Sequence, residues 1–454
     1  MNAATLATLA DGLKGQLIRP ADATYDEARK VWNGMIDKKP AVIIRPQSND
    51  DVIAAVNFAR GEGLAISVRG GGHHAAGSAL NDGGLVIDLS NMRGVGYDAA
   101  SHTARAQGGA LLHHLDDATL PHGRAVPTGV FGETGIAGLT LGGGYGWQSR
   151  LRGLTCDNLI GADVITADGQ LLKTSESENP ELLWALRGGG QNLGVVTSFE
   201  YRTYPMPEEI YLTFVAYPLT EGKQVLQKMR KFIATAPREL MAIAVLWTFP
   251  ASEPFPESVW NQQFVGIAAP YIGSVAEGQR VAQPLRELGT LLFDGSSPMP
   301  FGTLQSFFDE DYPQGRRYYW RSSYLKELNE EALDKLVDLG KRRPSPLTSL
   351  DIWFLGCAIG DVGLDDTPMA HREAPFMAGI ESNWDDPADD AANVGWAREV
   401  FSAMAPHSTG GSYVNFEDSD DATRVEAAYG TNYRRLMEIK RKYDPDNLFG
   451  ARRG

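Results

Sequence analysis

The sequence contains few cysteines, no excess of basic charge and no long hydrophobic run. Only two of its 454 residues are cysteines, Cys156 and Cys357, so at most one disulfide can form and a disulfide framework is not expected. Acidic residues outnumber basic ones by 57 to 42, and the net charge of −15 repels nucleic acid and anionic lipid. No stretch approaches the roughly 20 apolar residues of a membrane helix, and no basic start precedes an apolar run as in a secretory signal. These absences predict a cytoplasmic protein that binds neither nucleic acid nor membrane.

Glycine, by contrast, is abundant. In the first 205 residues it lies between predicted strands and helices that alternate along the chain. A helix is predicted to begin at Ser48 or Asn49, which can cap its first turn, and to end at Gly61 or Gly63. The turn signal Ala167-Asp168-Gly169 between two apolar runs predicts a hairpin over 163–174. The other elements predicted here are strands over 41–44, 64–68, 85–88, 104–106 and 194–204 and a helix over 110–120.

The composition of the sequence changes after Pro205-Met206-Pro207, where aromatic strands and charged helices replace the glycine-rich loops. The elements predicted there are strands over 211–217 and 242–249 and helices over 221–235 and 327–339. This pattern is typical of an α+β domain with an antiparallel sheet.

The last part of the chain differs again from about Gly410 onward. Residues 413–416 are strand-like, and a charged helix is predicted over 422–443, stopped by Asp444-Pro445. The sequence therefore predicts three segments, which cover residues 1–205, 206–409 and 410–454.

Three glycine clusters can hold a phosphorylated cofactor. They are residues 69–74 (RGGGHH), 142–146 (GGGYG) and 188–190 (GGG). Successive backbone N–H groups in such loops form concave anion sites, because glycine allows positive φ and close approach. The Rossmann fingerprint does not fit, since Trp147 stands where its third glycine belongs, and neither a P-loop nor a G-x-S-x-G elbow is present. Each cluster alone is equally compatible with an ordinary tight loop.

The order and spacing of these clusters resemble those of the vanillyl-alcohol-oxidase superfamily of FAD enzymes. Within it, the sequence is most similar to the berberine-bridge-enzyme-like oxidases, with bacterial relatives such as 6-hydroxy-D-nicotine oxidase. The segments that carry the resemblance are 69–73 (RGGGH), 127–146 with its PTG, GIAG and GGGYG motifs, 153–158 (GLTCDN), 413–416 (YVNF) and 443–449 (YDPDNLF).

The resemblance implies an α+β fold with a two-part FAD-binding domain of the vanillyl-alcohol-oxidase type. Residues 1–205 would form this domain and residues 410–454 would complete the FAD site. Residues 206–409 would form an inserted substrate-binding domain built on an antiparallel sheet, with the flavin ring at the interface.

The resemblance also implies that the flavin is bonded to His73 through its 8α carbon. Taken alone, His73 is more readily understood as a structural loop histidine. Many family members add a second bond from a cysteine, but that position here is Phe131, and we expect Cys156 to be a buried small hydrophobe. A single covalent link is therefore predicted, and the adjacent His74 is expected to have a structural role.

Cofactor contacts implied by the resemblance fall in the same motifs. They are predicted at Arg69, Gly70, Gly71, Gly72, His73, Gly77, Ser78, Pro127, Thr128, Gly129, Thr134, Gly135, Gly138, Gly142, Gly143, Gly144, Tyr145, Gly146, Asn158, Val196, Tyr413, Asn415 and Asn447.

Two tyrosines are the candidate catalytic residues. By resemblance, Tyr413 is the first candidate for the base that removes the substrate proton, with Tyr145 as its partner; each is equally compatible with an aromatic wall beside the flavin. A nearby charge would have to lower the tyrosine pKa from its usual value of about 10. Trp353 and the aromatic run 317–321 can line the substrate pocket, although core packing is the simpler interpretation.

The predicted function is that of an FAD-dependent oxidase, which oxidises a small alcohol or amine by hydride transfer to flavin N5. Molecular oxygen is the expected acceptor, giving hydrogen peroxide. A dehydrogenase with another acceptor stays open, because Thr134 stands where relatives often carry Val or Leu near the oxygen-facing edge. A non-catalytic flavin-binding protein is a further alternative. A zinc hydrolase is disfavoured, since His113-His114 lacks the i, i+4 spacing of helical ligands, and no metal is predicted.

Overall fold

The computed structural model describes residues 3–190, 192–417 and 424–450. Its strands, in chain order, are β1 (Gln16–Ile18), β2 (Val42–Arg45), β3 (Ile66–Arg69), β4 (Leu85–Asp88), β5 (Val95–Asp98), β6 (Thr103–Gln107), β7 (Arg124–Ala125), β8 (Leu159–Ile165), β9 (Leu171–Ser175), β10 (Val195–Arg202), β11 (Tyr204–Pro205), β12 (Ile210–Pro218), β13 (Ala242–Thr248), β14 (Gln263–Tyr271), β15 (Phe293–Asp294), β16 (Ser297–Met299), β17 (Arg317–Leu325), β18 (Ser349–Phe354) and β19 (Phe376–Trp384). Its α-helices are α1 (Ala3–Gly12), α2 (Tyr25–Ala28), α3 (Asn49–Glu62), α4 (Leu112–Thr119), α5 (Ile136–Leu141), α6 (Ser149–Arg152), α7 (Pro180–Leu186), α8 (Gly222–Ile233), α9 (Val275–Ala282), α10 (Phe301–Gln305), α11 (Glu330–Lys341), α12 (Asp390–Met404), α13 (Arg424–Tyr429) and α14 (Tyr433–Tyr443).

A small mixed sheet carries the first glycine loop. Its strand order is β1-β2-β4-β3, with β2, β4 and β3 parallel to one another and β1 antiparallel to β2. Helix α3 joins β2 to β3; Ser48 caps its N-terminus by accepting a hydrogen bond from the Asp51 N–H, and Gly63 ends it at a φ of 65°. These contacts decide between the alternative start and stop residues that the sequence left open. Strand β3 then runs directly into the loop at Gly70.

A second, five-stranded antiparallel sheet has the order β5-β6-β10-β8-β9. The pairing of β8 with β9, from Ile165 opposite Leu171 to Gly161 opposite Ser175, confirms the predicted hairpin. Helices α4, α5 and α7 contribute to the apolar cluster on this sheet, and α14 covers the same cluster from the C-terminal segment.

An eight-stranded antiparallel sheet dominates the rest of the chain. Its order is β15-β12-β14-β13-β18-β19-β17, and β16 also pairs with β12. Side chains alternate between its faces with the period of two that a strand imposes. One face, including Leu350 and Ile352 of β18, packs against α8, α11 and α12, whereas the other, including Trp353, joins Tyr145 and Trp147 of the N-terminal part. The molecule is thus an α+β fold, with a two-part domain and an inserted domain on an antiparallel sheet.

Two predictions for the C-terminal segment are wrong. Residues 413–416 are not a strand: Val414–Phe416 is a turn of 3-10 helix, because the Tyr413 N–H donates to Ser322 Oγ at 2.8 Å rather than to a neighbouring strand. The predicted helix over 422–443 is two helices, α13 and α14, separated at Gly430, whose φ of 49° interrupts the helical path. Its first two residues lie outside the described part of the chain.

No helix within the described ranges is long and apolar enough to cross a membrane.

Candidate active site

A cavity of about 890 Å³ lies where the parts of the fold meet. It is lined by β3 and the loop after it, by the segment around Thr134, by aromatic residues of the eight-stranded sheet and by the C-terminal segment. Such a junction between domains is a common place for a ligand or cofactor.

Two glycines let the loops on one side of the cavity touch backbone to backbone. A Cβ built on Gly71 would lie 2.6 Å from the Cα of Gly135, and the reverse construction gives the same distance. Any side chain at either position would therefore separate the loops. The surface they form is of backbone groups, which suits the close approach of a large, flat and phosphorylated molecule. FAD is such a molecule, so these residues fit the cofactor that the sequence predicts.

His73 is held at the cavity by an aromatic stack. Its ring lies 4.2 Å from that of Trp32 and nearly parallel to it, and Trp32 in turn stacks on Tyr318 at 3.6 Å. Trp32 is fixed by its Nε1, which donates to the Tyr312 carbonyl at 2.8 Å, and by its N–H, which donates to the Gly72 carbonyl at 3.1 Å. Burial of the imidazole lowers the pKa of His73 to about 4. At neutral pH the ring is therefore uncharged and one nitrogen lone pair is available.

The neighbouring His74 has both ring nitrogens engaged by backbone. The Ala76 N–H donates to Nδ1 at 3.2 Å, so Nε2 carries the hydrogen and donates to the Val414 carbonyl at 3.0 Å. His74 thereby ties the glycine loop to the C-terminal segment, which is the kind of structural role predicted for it.

Tyr413 and Tyr145 meet at the cavity wall. Their rings contact edge to face at 4.9 Å, and both line the cavity. The phenol oxygen of Tyr413 accepts hydrogen bonds from the Gly144 N–H at 3.1 Å and from Asn415 Nδ2 at 2.9 Å. Tyr145 donates instead to the hydroxyl of Tyr324 at 3.2 Å.

The electrostatics around these tyrosines favour their neutral forms. Burial raises the pKa of Tyr413 to about 12, although the hydrogen bond from Asn415 acts in the opposite direction. Burial also raises the pKa of Tyr145, which the positive charge of Arg372 lowers to a smaller extent. Arg372 is itself buried in an ion pair with Asp157 at 2.6 Å. The positive charge that could lower the pKa of a tyrosine base is therefore that of Arg372, and it acts on Tyr145. The sequence did not indicate this.

The structure brings thirteen of the predicted cofactor residues to the cavity wall. These are Gly70, Gly71, Gly72, His73, Ser78, Gly129, Thr134, Gly135, Gly138, Tyr145, Val196, Tyr413 and Asn415.

The other ten predicted residues do not line the cavity. They are Arg69, Gly77, Pro127, Thr128, Gly142, Gly143, Gly144, Gly146, Asn158 and Asn447. Arg69 points away because its guanidinium pairs with buried Asp88 and donates to the Ala28 and Lys30 carbonyls. Gly144 stands behind the wall, where its N–H holds Tyr413.

Several residues at the wall or directly behind it carried no recognisable signal in the sequence. Trp32, which supports His73 from behind, lies far ahead of it in a segment without a motif, and only the fold stacks the two rings. Residues 64–68 line the cavity because β3 leads directly into the glycine loop, and their position next to that loop is the only sign of this role in the sequence. Phe416 and Phe449 reach the wall from the C-terminal segment.

Neither cysteine lines the cavity. Cys156 is fully buried elsewhere, and burial raises the pKa of its thiol well above the usual range, so no thiolate forms there at neutral pH. Phe131 does line the cavity, with its ring 6.1 Å from that of His73. Within the described ranges, no cluster of three His, Cys, Asp or Glu side chains could hold a metal ion.

Comparison with known proteins agrees with this geometry. The family described as "FAD binding domain" matches residues 40–175, and the family described as "Berberine and berberine like" matches residues 412–454. An FAD-linked oxidoreductase of Dictyostelium discoideum is 30% identical over 446 residues, covering 97% of this chain and 94% of that protein.

Two solved structures extend the likeness to the whole fold. The 6-hydroxy-D-nicotine oxidase of Arthrobacter nicotinovorans is 27% identical, with a TM-score of 0.87 and coverage of 96% of this chain and 97% of that one. The glucooligosaccharide oxidase of Acremonium strictum, which carries a 6-S-cysteinyl, 8α-N1-histidyl FAD, is 25% identical, with a TM-score of 0.86 and 98% coverage of each chain. The chain therefore belongs to the berberine-bridge-enzyme-like FAD-linked oxidases of the vanillyl-alcohol-oxidase superfamily.

Proposed function

We propose that this enzyme carries FAD bonded covalently to His73 and to no cysteine, and that it oxidises an alcohol or amine carbon of a small organic substrate. Molecular oxygen is the proposed electron acceptor. When bound, FAD supplies the oxidising power by taking a hydride from the substrate carbon. The observation that carries the proposal is the uncharged imidazole of His73, stacked on Trp32 at the cavity wall.

The covalent assignment is supported by the chemistry and position of the candidate nucleophiles, His73 and the two cysteines. A histidine must be neutral to form a bond through a ring nitrogen, and His73 with a pKa of about 4 is neutral throughout the physiological range. The glucooligosaccharide oxidase adds a cysteinyl link to its histidyl link. In this chain Phe131 occupies the wall near His73, and the two thiols lie outside the cavity.

The predicted cofactor residues divide into two groups. Those that line the cavity are proposed to contact FAD directly through backbone groups of the Gly70–Gly72 loop and of Thr134, Gly135 and Gly138. The remaining ones, such as Gly144 and Asn158, are proposed to hold the motifs in shape.

Tyr413 is proposed as the group that handles the substrate proton. The Gly144 N–H and Asn415 both donate to its oxygen, and two donors on a phenol oxygen stabilise the phenolate that a base must become. Tyr145 is proposed as its partner, held by the hydroxyl of Tyr324. Because burial opposes ionisation, proton removal by Tyr413 is expected to be coupled to loss of the hydride rather than to precede it.

The covalent link is tested by denaturing the purified protein, running it on a gel and exciting the band for flavin fluorescence. The wild type is expected to fluoresce and His73→Ala to be dark. Cys156→Ser serves as the matched control and is expected to fluoresce like the wild type. A dark wild-type band, or a bright His73→Ala band, would contradict the assignment.

The acceptor is tested separately by mixing the substrate-reduced enzyme rapidly with oxygenated buffer. Fast reoxidation that yields hydrogen peroxide is expected. Slow reoxidation that an added quinone accelerates would favour the dehydrogenase alternative, which the position of Thr134 at the cavity wall keeps relevant. If no substrate bleaches the flavin, the chain is a non-catalytic flavin-binding protein.

A further inference from the structure

Two acidic side chains lie together on the cavity-facing side of the eight-stranded sheet. In β18, Leu350 and Ile352 pack against the helices, so Asp351 shares the opposite face with Trp353. In β19, Glu381 lies two residues from Gly379, which is the partner of Asp351 in the pairing of the strands. Asp351 is 6% exposed and Glu381 2% exposed.

Because Gly379 has no side chain, the side chains of Asp351, Glu381 and Trp353 surround one point above its Cα. A Cβ built there would lie 3.5 Å from the Cβ of Asp351 and 3.6 Å from both Glu381 Oε1 and Trp353 Nε1. Trp353 is itself 2% exposed and lines the cavity. The point above Gly379 is therefore next to a side chain, Trp353, that lines the cavity.

Each of the three side chains around this point has one polar atom that the protein does not satisfy. Asp351 Oδ1, Glu381 Oε2 and Trp353 Nε1 are buried and have no hydrogen-bond partner. An unpartnered buried polar atom costs about 1–3 kcal/mol, so three of them on neighbouring side chains favour a bound polar group.

The acid pair also has a charge that no cation balances directly. The two carboxyls are hydrogen-bonded to each other, and burial raises the pKa of Glu381 to about 7 and that of Asp351 well above its usual range. Two adjoining carboxyls do not both ionise readily, so the pair gains one negative charge as the pH rises through about 7 and keeps its second proton above that.

The other groups that face the pair leave its charge in place. Tyr312 bonds to Glu381 and Ser349 bonds to Asp351, and both are neutral hydrogen-bonding partners. Arg343 lowers the pKa of Asp351 only weakly, because its two terminal nitrogens donate to the Gly340 carbonyl and to Thr248 Oγ1.

We propose that Asp351, Glu381, Gly379 and Trp353 form a subsite for the ammonium group of a cationic amine substrate. This inference rests on the proposed function and names its substrate class. An ammonium group offers three donors, which can satisfy the two orphaned carboxyl oxygens, and its charge is favoured beside an anion in a region of low dielectric.

The subsite is tested by measuring binding to the FAD-loaded enzyme by titration calorimetry with two probes of the same shape. Benzamidinium is a cation and benzamide is neutral, and neither has a hydrogen on the carbon that bears nitrogen, so neither can be oxidised by hydride loss. Benzamidinium is expected to bind at least about tenfold more tightly than benzamide to the wild type. Equal affinities would overturn the inference.

Two variants test whether the preference for benzamidinium over benzamide arises at this subsite. Gly379→Ala fills the point with a methyl group at ordinary contact distances, so it is expected to fold and to reduce the preference for benzamidinium below about threefold. The double variant Asp351→Asn with Glu381→Gln removes the charge and is expected to do the same. Glu399→Gln, an exposed carboxyl on α12, is the matched control and is expected to keep the wild-type ratio. A preference that survives both changes would overturn the inference.

A further readout needs no variant. Binding of a cation favours ionisation of the pair, so benzamidinium is expected to release a fraction of a proton near neutral pH, measured from titrations in buffers of different ionisation enthalpy. No proton release would contradict the proposal. The flavin fluorescence of the denatured protein separates the two failures: a bright band with no benzamidinium preference overturns the subsite alone, whereas a dark band overturns the covalent assignment.

Discussion

The two sides of the cavity are built in different ways. On the cofactor side, the loop from Gly70 to His73 is continuous in sequence and presents mostly backbone, with Gly135 pressed against it. On the substrate side, Asp351 and Glu381 come from different strands and act through their side chains, with Tyr312 behind them. The first surface therefore depends on having no side chains, whereas the second depends on which side chains the sheet register brings together.

The first and largest expected effect is a loss of bound flavin when a methyl group is added at Gly71, on the cofactor side of the cavity. Gly71→Ala would place a Cβ 2.6 Å from the Cα of Gly135, and backbone cannot move aside as a flexible side chain can. We expect the flavin content of the purified protein to fall below about a tenth of the wild type, measured from visible absorbance. Gly395→Ala is the control: nothing lies within 4 Å of its Cβ on α12, so stability should rise by about 0.5–1 kcal/mol. Wild-type loading of Gly71→Ala would show that the loops need not touch.

The second prediction concerns Trp32, the side chain that stacks on His73. Trp32→Leu removes the ring that stacks on His73, and we expect the covalently bound fraction of the flavin to fall by at least half. Trp32→Phe keeps an aromatic ring and loses only the bond to the Tyr312 carbonyl, so it should retain most of the link. The measurement is the ratio of denaturation-resistant to total flavin. If both variants retain the full ratio, the stack does not position His73.

The third prediction concerns the contact between the two parts of the fold. Asp116 on α4 is buried against Gln305 on α10, and burial raises the pKa of Asp116 from 3.8 to about 7. The native state therefore binds a proton that the unfolded state lacks between these values, so this group makes stability fall as the pH rises through that window. Asp116→Asn is expected to stabilise the protein by about 4 kcal/mol at pH 8 and to have little effect at pH 4. Denaturant unfolding at both pH values checks this, and an equal effect at both would contradict it.

The fourth and smallest expected effect lies where the two sides meet. Tyr324→Phe leaves the buried hydroxyl of Tyr145 without its partner at 3.2 Å, a loss of about 1 kcal/mol. We expect kcat to fall by less than tenfold, with KM nearly unchanged and an altered pH profile of kcat, because Tyr324 positions Tyr145 without reaching the cavity. Tyr97→Phe, at a distant exposed pair with His102, should leave all three unchanged. An unaltered pH profile in Tyr324→Phe would remove Tyr324 from the account.

The sequence predicted the strand, helix and glycine loop beside His73 for a physical reason. The strand, the glycine loop and the histidine are contiguous, and the signals that shape them, such as the Ser48 cap and the left-handed Gly63, are local. The order of the domains also followed from changes in residue composition along the chain. The boundaries at 205/206 and 409/410 stay predictions.

The substrate side could not be predicted because its contacts depend on sheet register. Nothing local to Asp351 indicates that Gly379 lies opposite it or that Glu381 is within reach. The strand predicted at 413–416 was wrong for a related reason, since a hydrogen bond to the distant Ser322 sets the local backbone. The stack of Trp32 on His73 likewise appears only when the chain is folded.

The central claim is that the glycine loop delivers His73 to the flavin. Its most direct test is protease digestion of the denatured wild-type protein, followed by mass spectrometry of the fluorescent peptide. We predict a single flavin peptide, modified at His73 and absent from His73→Ala. A flavin found on the Cys156 peptide, or recovered entirely as free FAD, would contradict it.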